Sequence, residues 1–170
     1  MPDQPKVTKP RAEAPFRYNL RVRYHECDAQ RVVFNGHYGT YVDMALTEFL
    51  NALLPGRHDR SPPVSASASP ASGQGLEFQL VRQVIEWAAP ARFNDVVEIS
   101  AWCERVGTTS FVMRYALRKP GEAEPFVTAE TVNVVLDGHS WTKVTIPPAL
   151  RAQLLTGVPG VHIDHAGYLN

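Results

Sequence analysis

From Phe16 to Tyr24 the chain alternates: Phe16, Tyr18, Leu20, Val22 and Tyr24 fall on one side, Arg17, Asn19, Arg21 and Arg23 on the other. Successive strand residues point to opposite faces, so a period of two predicts a half-buried strand. The period then changes. Tyr38, Tyr41, Val42, Ala45, Leu46, Phe49, Leu50 and Leu53 recur at helical spacing, with Asp43, Thr47, Glu48 and Asn51 opposite them. That is a long helix with a broad apolar stripe, which needs a sheet to lie against. Asn35 is placed as its N-cap, and Pro55-Gly56 stops it. Residues 76–87, 95–106, 109–118 and 125–136 read as four more strands, separated by turns at 88–93, 107–108 and 119–122. Consecutive hairpins make an antiparallel sheet. The order β-α-β-β-β-β is therefore of the α+β class, one long helix wrapped by a curved antiparallel sheet of about five strands. Pro147 to Leu155 predicts a short final helix.

Length and composition sharpen this picture. A chain of 170 residues with 44% hydrophobic residues suits a single domain, placed at 16–156. Residues 1–15 are proline-rich and poor in hydrophobes, and are expected to be a disordered leader. Residues 55–75 are built of Pro, Ser, Gly and Ala and are expected to form a mobile loop within the domain. The roughly 40 ordered residues before them are too few for a core of their own. Residues 157–170 have no clear period and are taken as a C-terminal tail. Lysine plus arginine and aspartate plus glutamate number 17 each, which argues against a nucleic-acid partner. No apolar run is long enough to span a membrane. Cys27 and Cys103 form no CxxC pair, so the reading is two reduced thiols in a cytoplasmic protein. The tail residues His162, Asp164 and His165, like His25-Glu26-Cys27-Asp28, hold metal-ligand residue types without ligand spacing.

Residues 22–50 carry a more specific signal. In order come Tyr24, Asp28, Val32-Val33, Phe34 and Tyr38, the last in the first turn of the helix. Further on, Pro90-Ala-Arg-Phe-Asn-Asp95 precedes one strand and Ser110 starts the next. This series resembles the hotdog-fold acyl-CoA thioesterases related to 4-hydroxybenzoyl-CoA thioesterase and the YbgC type, over roughly residues 16–137. The resemblance implies a hotdog fold, an acyl-CoA substrate, no cofactor, and assembly as a homodimer or homotetramer. It also implies a CoA-binding role for Arg105 and Ser110. There are two departures from the pattern. Arg31 stands where the family often has glycine, and Thr108 and Thr109 stand where some relatives carry basic residues near the CoA phosphates.

Thioester hydrolysis needs a group that attacks the carbonyl or activates water, and a group that stabilises the oxyanion. Asp28 is the candidate for the first. It lies shortly before a helix whose N-terminus offers unpaired N–H groups and partial positive charge. Asn35, Gly36, His37 and Tyr38 are the candidates for oxyanion and substrate binding. No metal, flavin or nicotinamide is required. An aspartate ahead of a helix also serves as a turn or cap residue. Glu48 is the reserve carboxylate. Two other activities stay open: a non-catalytic acyl-CoA binder, and a dehydratase or hydratase pairing His25 or His37 with Asp28. An aromatic acyl group and a short or medium fatty acyl group both fit.

Overall fold

The computed structural model describes residues 15–56 and 75–169. The leader and the internal loop expected at 1–15 and 55–75 lie almost wholly outside the described residues. The elements are β1 (Phe16–Arg21), a 3-10 turn (Tyr24–Glu26), α1 (His37–Leu53), β2 (Leu76–Trp87), β3 (Val96–Val106), β4 (Ser110–Arg118), β5 (Val127–Asp137), α2 (Pro148–Thr156) and β6 (His162–Asp164). The sheet order is β2-β5-β4-β3-β1-β6. All pairings are antiparallel except β1 with β6.

The apolar stripe of α1 is buried along its full length, from Tyr38 to Leu53. It lies on the inner sheet face, where Phe16, Tyr18, Leu20, Ile99, Phe111, Met113, Tyr115, Leu117 and Val135 are all nearly inaccessible. Burying such side chains is worth about 1.5–3 kcal/mol each, which explains why the two periodicities decide the architecture. Burial pushes the Cys103 thiol up to about 12, so it stays protonated.

Three local readings are corrected. The first strand ends at Arg21 instead of Tyr24. Glu26 Oε2 accepts the Arg23 N–H at 2.7 Å and the Tyr41 hydroxyl at 2.7 Å, and so draws the chain off the sheet. Tyr24 is consequently 81% exposed, although alternation placed it inside. The helix begins at His37, with Gly36 as N-cap and no side-chain capping bond, so Asn35 is not the cap. Finally, the tail supplies a sixth strand. β6 is three residues long, too short to show a period, and it runs parallel to β1 with Tyr18 opposite Ile163. His165 Nδ1 lies 3.2 Å from the Tyr18 hydroxyl. The Asp164 carboxylate accepts N–H groups of Leu169, Ala166 and Tyr168, which hold its pKa below the usual carboxylate range. A depressed carboxylate pKa contributes stability above its unfolded value and loses it as pH falls through the folded one. Asp164→Ala is therefore expected to speed amide exchange across 162–169 at neutral pH, and to have no such effect in acid well below pH 4.

Candidate active site

The segment between β1 and α1 is a small hairpin. Cys27 bridges Val33, and the Asp28 N–H donates to Val32 O at 2.9 Å. The Arg31 N–H donates to Asp28 O at 2.9 Å, which closes a tight turn. Arg31 adopts φ +63°, the left-handed region that suits glycine. Arg31→Gly is expected to stabilise the protein by roughly 0.5–1 kcal/mol in urea titration, the relief of that strain less glycine's own entropy cost.

Within this turn Asp28 Oδ1 accepts the Gln30 N–H at 2.8 Å. The second carboxylate oxygen makes no hydrogen bond within the described residues. Asp28 is half-buried and lines a cavity of about 400 Å³ shared with Gln30, Val33, Asn35, Tyr38, Trp87 and Pro90. At the helix start the His37 N–H is spent on Phe34 O at 2.9 Å, and the Tyr38 N–H reaches Asn35 O at 3.4 Å. Within the described residues the Asn35 and Gly36 N–H groups have no acceptor. Asn35 lines the cavity, and Gly36 is its neighbour in the chain. A Cβ at Gly36 would come within 2.9 Å of the Phe34 ring, which is 53% exposed at the cavity wall and would have to move aside.

Tyr38 is buried at the back of this cavity. Its hydroxyl accepts the Ala91 N–H at 2.9 Å, tying the Pro90-Ala91 turn to the first turn of α1. Desolvation raises its pKa despite that bond, so the hydroxyl keeps its proton. Asp95 has a structural role in this turn: Oδ2 accepts the Arg92 N–H at 2.9 Å and lies 3.4 Å from Lys119 Nζ. Sequence reasoning did not single out Glu26, Tyr41 or Trp87 as site residues. Tyr41 holds Glu26, and the Glu26 carbonyl in turn receives the Phe34 N–H at 2.9 Å, so both ends of the hairpin are anchored. No spacing announces a contact of this kind between a helix and a loop. Trp87 meets Tyr38 edge-on, ring centres 6.2 Å apart, and stays 49% exposed. Tyr41→Phe removes a bond to a charged group and is expected to cost about 1.5–3 kcal/mol by thermal unfolding.

The remaining candidates lie elsewhere. Glu48 is on the β1 side of α1, where it supplements burial in raising the Tyr18 pKa. Neither His25 nor His37 hydrogen-bonds Asp28. Arg105 and Ser110 are at the far end of the sheet. Val127 pairs with both Trp87 and Leu117, whereas Val134 pairs with Gln79 and Ser110. Those levels are seven residues apart on β5, about 23 Å at 3.3 Å per residue. Within one chain they do not meet Asp28. Among the described residues no helix is long and apolar enough to cross a membrane.

Comparison with known proteins bears on the family and the fold. A protein of Aquifex aeolicus is 30% identical over 105 residues, which are 62% of this chain and 73% of that protein. The acyl-CoA thioester hydrolase YbgC of Escherichia coli is 30% identical over 97 residues, 57% of this chain and 64% of its own length. The chain thus spans just under two thirds of YbgC. Among solved structures, one from Aquifex aeolicus superposes with a TM-score of 0.65 at 25% identity, covering 82% of this chain and 99% of that one. A Staphylococcus aureus protein solved in complex with CoA shares the fold, with a TM-score of 0.67 at 11% identity over 83% of this chain and 82% of its own. Residues 30–126 match the family model of the thioesterase superfamily, beginning two residues after Asp28 and running through α1 and β4 to the residue before β5, so this hotdog-fold chain belongs to that superfamily.

Proposed function

We propose that the chain hydrolyses an acyl-CoA thioester to a free carboxylic acid and CoA, with Asp28 as its catalytic carboxylate. The observation that carries this reading is that Asp28, with a carboxylate oxygen lacking a partner within the described residues, and Asn35, with an N–H lacking an acceptor there, line one cavity, with the likewise unpaired Gly36 N–H next in the chain. The thioester carbonyl oxygen takes the Asn35 and Gly36 N–H groups, which strengthen their hold as it becomes an oxyanion. Asp28 then either attacks the carbonyl carbon, expelling CoA thiolate and leaving a mixed anhydride for water to open, or takes a proton from the water that attacks. In the first route the departed thiolate takes its proton from solvent, and in the second it takes the proton that Asp28 removed from water, so the products in both are the carboxylic acid and CoA thiol. Tyr38 and the Phe34 ring bound the acyl side.

The proposal includes a homodimer. β6 pairs with β1 at one side of the sheet, and among the described residues no further strand pairs with β2 at the other. That strand exposes Leu80, Val81, Val84 and Trp87. A long apolar edge of this kind invites pairing with a second copy. Such a pairing would bring the second copy's Arg105 and Ser110 within range of this chain's cavity for the CoA end. Purified protein should release thiol from at least one member of an acyl-CoA panel spanning aromatic and fatty acyl groups. No release across the panel, with the protein folded and dimeric, would leave the non-catalytic acyl-CoA binder as the better reading.

A further inference from the structure

The wall of the cavity changes character where β2 ends. The N–H groups of Ala88 and Ala89 both donate to Phe126 O, at 2.9 and 3.2 Å, and this turns the chain away from the sheet. Ala88, Ala89 and Pro90 then form one stretch of wall, with no side chain larger than a proline ring. Trp87, the last residue of the strand, lines the same cavity and is the largest side chain there. It lies opposite Val127 of β5, and Ile85, two residues earlier on the same face, lies opposite Ala129. Strand rise sets Trp87 and Ile85 about 7 Å apart. Ile85 is partly buried against the core. The two rings at the cavity are held differently. Tyr38 is buried and fixed through its hydroxyl to the Ala91 N–H. Trp87 touches it only edge-on, and the indole N–H makes no hydrogen bond within the described residues. A side chain of this size packed on one side only contributes little to the fold, and it offers a ligand a broad apolar wall.

We infer that Trp87 is a specificity-determining residue that sets the length of the acyl group: its ring closes the acyl side of the cavity against Tyr38 and turns away straight chains that would run on between α1 and β2 toward Ile85. The inference rests on the thioesterase reading above, in which Tyr38 bounds the acyl side. An acyl group that fills the cavity covers the open face of the indole and takes both surfaces out of water. A longer chain has to displace the ring or leave its own end in water. Once the indole is removed, each methylene that enters the freed space is worth about fourfold in kcat/KM.

A series of straight-chain acyl-CoAs from butanoyl to dodecanoyl tests it on the full chain. In the wild type kcat/KM is expected to stop rising at a length where that of Trp87→Ala still climbs. The ratio of decanoyl-CoA to hexanoyl-CoA should rise in Trp87→Ala by about tenfold or more over wild type. Trp87→Phe keeps a smaller ring against Tyr38 and should fall between the two, and it carries the test if Trp87→Ala does not fold. Two further measurements need no turnover. Affinities of Asp28→Asn protein for the series, by calorimetry, should level off at the wild-type length and go on rising once Trp87→Ala is added. Hexanoyl-CoA should also shift the tryptophan emission of Asp28→Asn protein to the blue, and Trp87→Phe should remove that shift. Absent turnover with these binding results in place counts against the thioesterase reading alone. Three results would overturn the assignment of Trp87: no binding of any member, a length profile that both Trp87 variants leave unchanged, or an emission shift that survives Trp87→Phe.

Discussion

Replacing Asp28 by asparagine is expected to lower kcat by at least about a hundredfold, the usual worth of a general base, and to leave thermal stability near wild type. The structure makes the two halves of this expectation separable. The turn uses one carboxylate oxygen, which accepts the Gln30 N–H, and an asparagine carbonyl accepts it equally well. What asparagine lacks is the negative charge of the other oxygen. If Asp28 served only the turn, the pattern would invert. Asp28→Asn would then turn over normally, and Asp28→Ala would lose roughly 1 kcal/mol, as when an Asx hydrogen bond is removed. Glu48→Gln is the control, since Glu48 stands on the Tyr18 side of α1. An inactive Glu48→Gln beside an active Asp28→Asn would move the chemistry to mid-helix and sink the assignment.

The second large effect is expected at the open sheet edge. Val81→Lys with Val84→Lys should convert the proposed dimer to monomer and abolish most turnover of acyl-CoA. Val81 sits at the bulge between Leu80 and Arg82, 56% exposed, and Val84 is 37% exposed, so neither change disturbs the monomer core. Two-fold pairing sets each lysine close to its own copy or to the other. Like charges so placed cost several kcal/mol, and each 1.4 kcal/mol weakens association about tenfold. Light scattering reads the assembly and thiol release reads the activity. A monomeric variant with undiminished kcat/KM would show that one chain suffices, and that Arg105 and Ser110 of the partner have no part in the reaction. Unchanged dimers would show that the contact lies on another face.

The reach of the sequence is clearest at α1. Eight apolar positions at helical spacing were legible as one buried stripe, and all eight are buried. The four long strands were legible for the same reason, because burial repeats with the geometry of the element. The hairpin at Asp28 was legible only as an ordered set of residue types. Its hydrogen bonds run among neighbours and leave no periodic trace. Glu26 with Tyr41, and Tyr38 with Ala91, join residues 15 and 53 positions apart, and no local pattern encodes such a pair.

By itself, then, the sequence determined which residues turn toward a common core, the order of helix and strands, and a short list with Asp28 at its head. The tertiary structure alone decided that β6 lies at one side of the sheet and β2 at the other. It also decided which Asp28 oxygen the turn consumes, which two N–H groups stay free, and where Trp87 meets Tyr38. Periodicity records the side of an element on which a residue lies. What that residue meets there depends on segments far away in the chain, which become neighbours only once the burial of α1 has drawn the sheet around it.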